Sequence, residues 1–419
     1  MGISKGTFLK KRNMKTSDKY LSSDAALFNI LDNSYLHVFI LLLISSILIF
    51  WKLWYGSLAD WDELLYANIA KSLVLPEIPD YMMFKPSLFY LLIAFSYKLF
   101  GINVLSTRLI TAIFGIATVI MVYFLGKELY DKKTGFFAAI LLLTSQLFIL
   151  YSRLAMKDVP AAFFILGSLF FFYRAFKSSD NPSYDHTSND DDNNSKTLMH
   201  ILSSHLSVHY NTYLFFLFVL FAVGIKHMLG LLPLIVVTLY VFLFDFKKIK
   251  LLAERQVIIS IIIFFLIIIT WITLKISTGS FQIIDYSIDH FMIGVEGHDQ
   301  DWTYYIDVFK SGSFMFVWFL PLSLLYYVLT SFKIISFRKK DYLFPDRLLF
   351  IYVISFSIIL FFYQTRLPWY LISFVPVFSI MIIVMFFRVI SLISYFSGAY
   401  SKNILLILCS ILLLIILFG

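Results

Sequence analysis

Pro86-Ser87-Leu88-Phe89-Tyr90-Leu91-Leu92-Ile93-Ala94-Phe95-Ser96-Tyr97-Lys98-Leu99-Phe100 is apolar and short. As a helix, its fifteen residues rise about 22 Å, against roughly 30 Å of bilayer hydrocarbon. Such a length suits an interfacial or re-entrant helix better than a span. Charge decides the same way. If 86–100 crosses, the loop carrying Lys127, Lys132 and Lys133 lies outside. If it does not, that loop is cytoplasmic, as the positive-inside rule wants. Every later side assignment depends on this reading.

The surrounding chain is that of an all-α polytopic membrane protein. Hydrophobic residues make up 60% of it and charged residues 14%, about half the soluble norm. Its apolar runs are continuous rather than alternating, which argues against a β-barrel. Eleven spanning helices are expected, near 35–56, 106–126, 135–151, 159–176, 211–225, 228–244, 256–275, 313–331, 348–363, 369–387 and 403–419. Residues 1–34 read as a cytoplasmic basic tail with Lys5, Lys10, Lys11, Arg12, Lys15 and Lys19. With no cleavable signal visible, the first helix is expected to act as an uncleaved anchor.

The remaining transmembrane domain, 35–419, then has an outer loop at 57–105, a cytoplasmic linker at 177–210 and an outer loop at 276–312. Lys247, Lys248, Lys250 and Arg255 fall inside, as do Lys333, Arg338, Lys339, Lys340 and Arg347. The Asn/Asp/Ser-rich stretch 177–200 reads as a disordered linker. Its sequon Asn193-Asn194-Ser195 faces the wrong side for glycosylation.

The net charge of +8 belongs mostly to these short loops, so it signals orientation and not nucleic acid. The single cysteine, Cys409, lies in an apolar segment and excludes an intrachain disulfide. No Cys/His cluster or carboxylate cage marks a metal site, and no cofactor is implied.

What the chain does collect is charge along one rim. The outer inventory holds Asp62, Glu63, Lys85, Arg108, Arg153, Lys157, Asp158, Lys226, His227 and Gln364-Thr365-Arg366. Each alone is an ordinary interface residue. Arg153 and Lys157 can simply anchor a helix end. His227, His290 and His298 are commonplace loop histidines, and Trp302, Tyr304 and Tyr305 suit an aromatic belt. Together they form a pattern: two separate acids and several cations on one side, with helix centres almost free of charge. An ion-coupled transporter or a flippase of lipid-linked sugars would show midplane ionisable groups and repeated halves. A non-catalytic scaffold would have lost Asp62 or Lys85. The pattern favours chemistry on a lipid-linked headgroup. Asp62 and Glu63, followed by Lys85-Pro86, read as acid/base groups facing a phosphate-binding cation.

At these residues the chain resembles the C-type glycosyltransferases of the protein O-mannosyltransferase and lipid A aminoarabinose transferase group. Asp62-Glu63-Leu64-Leu65-Tyr66-Ala67-Asn68-Ile69 matches that group's Asp-Glu-x-x-Tyr-Ala-x-Ile loop. Lys85-Pro86 with Phe89-Tyr90, Arg108-Leu109, Gly126-Lys127-Glu128-Leu129-Tyr130 through Gly135, and Ser152-Arg153-Leu154-Ala155-Met156-Lys157-Asp158 follow in order. Later matches are shorter. Gly224-Ile225-Lys226 resembles a Gly-x-Lys-Gly turn with His227 in place of the glycine, and Arg366-Leu367-Pro368-Trp369-Tyr370 resembles a Lys-Leu-Pro-x-Tyr signature. Asp289-His290 with Trp302-Thr303-Tyr304-Tyr305 resembles the large outer loop, although Ile293 stands where the aminoarabinose transferases carry an arginine.

The resemblance implies a polyprenyl- or dolichyl-phosphate sugar donor, a glycoprotein or glycolipid acceptor, contact with membrane lipids and inversion at the anomeric carbon. It implies Asp62 as base and Asp158 as a supporting acid, with Glu63 orienting the acceptor or tying the loop to a helix end. Lys85, Arg366, Tyr370 and Arg108 become candidate ligands of the leaving phosphate. His290, His298, Trp302 and Tyr305 become candidates for contact with donor or acceptor. The active site would be extracytoplasmic in a multi-pass protein of the cell membrane.

Overall fold

The computed structural model describes residues 33–58, 60–75, 87–179, 194–246, 254–277, 301, 303–312, 314–334 and 342–397. Lys85, His290, His298, Trp302, the basic tail and the expected span 403–419 lie outside them. The described residues are α-helical, with 3-10 turns and no strand.

In chain order the helices are α1 (Ser34–Phe50), α2 (Trp61–Ser72), α3 (Leu88–Phe100), α4 (Val104–Leu129), α5 (Lys132–Leu143), α6 (Gln146–Ser152) and α7 (Asp158–Ser179). They continue as α8 (Asn194–Gly230), α9 (Leu232–Phe244), α10 (Arg255–Ser277), α11 (Tyr304–Gly312), α12 (Phe314–Ser331), α13 (Leu343–Phe362) and α14 (Val375–Ser397). Among the described residues, five stretches are long and apolar enough to cross a membrane: α4, α7, the part of α8 from Val208, α13 and α14. A sixth is counted if α5 and α6 form one broken span.

Each of the first ten expected spans falls on helix, but their details differ. The run 135–151 is not one rod: α5 and α6 meet at 74°. Thr144 Oγ1 donates back to Leu141 O at 2.7 Å, and Ser145 Oγ accepts from Phe148 N at 3.3 Å. Hydroxyls that bond nearby backbone in this way end one helix and start another. Before α14 the chain makes a 3-10 turn, Pro368–Ser373. The linker expected over 177–210 is shorter, because α7 runs to Ser179 and α8 already begins at Asn194. The decisive stretch forms α3, of thirteen residues and about 20 Å, too short to cross. Ser87 caps its start, and Gly101, at φ 75°, ends it.

α4 is the central strut, packed along α1, α3, α5 and α7. Asn103 and Ser106 cap its start reciprocally. Its far end turns into α5 with almost no space between backbones. A Cβ on Gly135 would sit 2.3 Å from Tyr123 O, and one on Gly126 would sit 2.8 Å from Gly135 Cα. Without a water-driven force between helices in lipid, such close van der Waals contact is what holds them together.

Beyond that turn lies a buried lock. Arg388 pairs with Asp346 at 2.7 and 3.2 Å and donates to the Tyr326 hydroxyl. Tyr130 donates to Asp346 at 2.8 Å. Arg108 and Tyr130 stand at opposite ends of α4, about 33 Å apart along its axis. The end near Arg108 carries the other cluster of charges.

Candidate active site

The site grows from three helix ends. α2 starts with Asp60 as N-cap, its carboxylate accepting from Asp62 N at 2.9 Å. Asp62 and Glu63 occupy the first turn, where the helix dipole favours negative charge. Successive positions on a helix face different ways, so the two acids separate.

Glu63 points inward and is fully buried. It accepts from Arg108 Nε at 2.7 Å and Nη2 at 3.0 Å, and from Ala155 N at 2.9 Å. The other guanidinium protons of Arg108 go to Leu53 O, Tyr55 O and Ser57 O, at 3.4, 3.2 and 2.9 Å. A guanidinium has five N–H groups, and all five are engaged. Arg108 therefore has none left for a phosphate, contrary to the expectation from its position. The Glu63–Arg108 pair ties α2 to α4 and, through Ala155, to the loop before α7.

Asp62 is half-buried. Its Oδ2 accepts from the Tyr66 hydroxyl at 3.0 Å, one helical turn on. Burial first, then the nearby charge of Asp62, pushes the Tyr66 phenol well above its ordinary range, so it stays a donor. The Tyr66 ring meets Phe89 and Tyr90 of α3 at 5.9 and 5.4 Å, and Lys157 Nζ lies 5.2 Å from its centroid. The short helix α3 thus braces the residue that orients Asp62.

Asp158 is the first residue of α7 and is buried. It forms an ion pair with Lys226, and its Oδ2 has no hydrogen-bond partner among the described residues. Lys226 is available because α8 breaks there: its backbone, at φ −139° and ψ 70°, is not helical. Beyond the break the chain folds back so tightly that a Cβ on Gly230 would lie 2.3 Å from Val223 N. The carbonyls freed before the break, Gly224 O and Ile225 O, accept from Ser87 Oγ at 3.0 and 3.1 Å. Lys226 Nζ also sits 4.4 Å from the Tyr370 ring centroid.

Charges of Asp62, Asp158, Lys157 and Lys226 act on one another here. Tyr370, raised first by burial and then by Tyr363 and Asp158, faces the same cluster. Arg366 is half-buried, and its charge acts on the hydroxyl of the buried Tyr305. The described members of the expected site are thus Asp62, Asp158, Arg366, Tyr370 and Tyr305 around one end of the bundle, with Glu63 and Arg108 behind it.

Sequence reasoning gave no role to Tyr66 or Lys226. The first was findable from its spacing of four from Asp62. The second stood in the outer inventory and in the Gly224-Ile225-Lys226 turn, with no role assigned to it.

The three carboxylates of the inner cluster differ in one decisive way. Glu63 has a bidentate arginine and Asp158 has a lysine. Among the described residues, Asp62 has no ion pair and is held by a neutral phenol.

Residues 84–184 match the family model described as dolichyl-phosphate-mannose-protein mannosyltransferase. That match covers Lys85, Arg108 and Asp158 and stops short of Asp62 and Lys226. A protein of Aquifex aeolicus (strain VF5) is 33% identical over 147 residues, or 33% of this chain and 30% of that one. ArnT from Cupriavidus metallidurans in the apo state superposes with a TM-score of 0.62 at 15% identity, covering 84% of this chain and 59% of ArnT. The chain has the fold of the C-type glycosyltransferases. ArnT bound to undecaprenyl phosphate gives a TM-score of 0.59 over 84% of this chain and 60% of that one, again at 15% identity. This chain therefore spans about three-fifths of the length of ArnT, and less than a third of the Aquifex protein is matched.

Proposed function

We propose that this C-type protein moves a sugar from a polyprenyl-phosphate donor to an acceptor hydroxyl of a glycoprotein or glycolipid, at the extracytoplasmic end of the bundle. The observation that carries the reading is that, among the described residues, Asp62 has no ion pair whereas Glu63 and Asp158 each have one. A general base must be ionised, reachable and within hydrogen-bond distance of the proton it takes. Glu63 is sealed against Arg108, and Asp158 is clamped by Lys226. Asp62 is half-buried and has one oxygen steadied by Tyr66.

In this mechanism Asp62 takes the proton of the acceptor hydroxyl as its oxygen attacks the anomeric carbon. The bond from that carbon to the phosphate oxygen breaks on the opposite face, so the configuration inverts. Polyprenyl phosphate leaves with the bonding electrons. Its growing charge needs cations already in place. Lys85, Arg366 and the Tyr370 hydroxyl serve there, and Lys226, less than one side-chain length from Tyr370, joins them. Ser87 bonds the carbonyls that precede Lys226, which ties the segment after Lys85 to the same corner. Asp158 then sets the position of Lys226. The loop residues His290, His298, Trp302 and Tyr305 are assigned to contact with donor or acceptor. The name of the ArnT complex records undecaprenyl phosphate in a relative of this fold, which supports a donor of that class.

Purified protein in lipid nanodiscs, given radiolabelled polyprenyl-phosphate sugars and a membrane extract as acceptor, tests this. Transfer is expected, and Asp62→Asn is expected to lower turnover about 100- to 10,000-fold, the usual share of a general base, with donor affinity kept. Near-normal turnover in Asp62→Asn alongside a dead Asp158→Asn would move the base to Asp158.

A further inference from the structure

Beside the Glu63–Arg108 pair lies a concavity of about 590 Å³. It is bounded by the end of α1 and the bend between α5 and α6. Leu48, Leu143, Ile149 and Leu150 give it apolar walls. Leu48 and Leu150 are 39% and 53% exposed, so it opens sideways at the bundle's periphery. Lys52 and Arg153 stand at its rim, Arg108 forms its back, and no carboxylate lines it. Since Arg108 is neutralised by Glu63, the net charge facing the space is that of Lys52 and Arg153.

Neither rim cation has a carboxylate of its own among the described residues. Arg153 uses one nitrogen on Trp51 O at 2.6 Å, which leaves the rest of its fork for a ligand. Lys52 sits at φ 53°, in the left-handed region that glycine or asparagine adopts more easily. A lysine held there, after a helix end and above an apolar slot, is a strained choice of residue that invites a functional reason.

We propose that this groove binds an anionic membrane phospholipid, with its phosphate between Lys52 and Arg153 and an acyl chain along Leu48 and Leu150. The two requirements come from the same space: an apolar wall open to the bilayer, and a rim with uncompensated positive charge. A donor-phosphate site would need a reacting group, and none lines this space. Because Arg108 both lines the groove and pairs with Glu63, an occupied groove bears on the ion pair that ties α2 to α4.

Native mass spectrometry of the purified full chain, with phosphatidylglycerol, phosphatidylcholine, inorganic phosphate and undecaprenyl phosphate as probes, tests the assignment. Phosphatidylglycerol is expected to bind about tenfold or more tightly than phosphatidylcholine, in line with two cations facing one anionic headgroup. Lys52→Gln with Arg153→Gln is expected to erase that preference. Leu150→Trp fills the slot from its exposed side without touching either cation, and is expected to weaken phosphatidylglycerol while leaving undecaprenyl phosphate unchanged. Equal binding of the two phospholipids overturns the proposal, as does unchanged phosphatidylglycerol affinity in Leu150→Trp. Parallel loss of undecaprenyl phosphate would give the groove to the donor, and full competition by inorganic phosphate would make it a free-anion site. Neither result depends on whether the protein transfers a sugar.

Discussion

Glu63→Gln separates structure from chemistry at this site. The substitution keeps the side chain's size and removes one charge. Arg108, 7% exposed, would keep its full charge and lose two charge-assisted bonds of 2.7 and 3.0 Å. An amide can accept one of these at its oxygen, and it presents an NH₂ to the other donor. Removing one partner of a buried pair costs about 3–5 kcal/mol, because the other charge stays behind. Against a total stability of roughly 5–15 kcal/mol, that is a large share. The expected result is a fall in melting temperature on the order of 5 °C, read by thermal unfolding of the purified protein, with turnover falling only as folded protein is lost. Glu63→Met with Arg108→Met removes both charges and should recover part of the loss. Recovery stays partial because Ala155 N and the Leu53, Tyr55 and Ser57 carbonyls lose their partners. An unshifted melting temperature together with selective loss of turnover would refute the strut and place Glu63 in the reaction.

Three further outcomes are expected. Lys226→Met should lower stability by leaving Asp158 charged and buried, and Lys226→Met with Asp158→Asn should restore melting without restoring transfer; restored transfer would remove both from the site. Lys85→Ala should weaken undecaprenyl phosphate binding with little change in melting, since a rim cation adds little to packing; unchanged affinity would exclude it as a phosphate ligand. A cysteine at Lys132 should resist an impermeant thiol reagent applied to intact cells, and labelling there would reverse every side assigned from charge.

The parts of this molecule that were legible in the sequence are those that depend on local pattern. Continuous apolar runs announced helices, and the brevity of 86–100 announced α3. Asp62 and Glu63 stood out because two acids follow a long apolar run. The sequence could not say that they would part company. That depends on which face of α2 meets α4, and on Arg108 lying 45 residues away in sequence. The bend at Thr144-Ser145 was hidden because both hydroxyls sit inside an apolar run long enough to read as one span. Lys226 was hidden for the opposite reason: it looked like a loop residue between two spans, and the chain instead breaks around it to turn its charge inward.

The misses among the charged residues share one physical cause. In a low-dielectric bundle a carboxylate is cheap only with a partner, so the partner of each acid decides its role. Sequence reveals acids and cations as separate lists, whereas the fold performs the matching. Once Arg108 is assigned to Glu63 and Lys226 to Asp158, Asp62 is left without a cation among the described residues, held instead by a phenol that cannot neutralise it. A reactive carboxylate needs that condition: enough hydrogen bonding to fix its aim, and no ion pair to lower its basicity. Tyr66 supplies the aim, and its ring contacts with Phe89 and Tyr90 make α3 part of the site's positioning. The short apolar stretch on which the side assignments rest also braces the carboxylate we propose as the base.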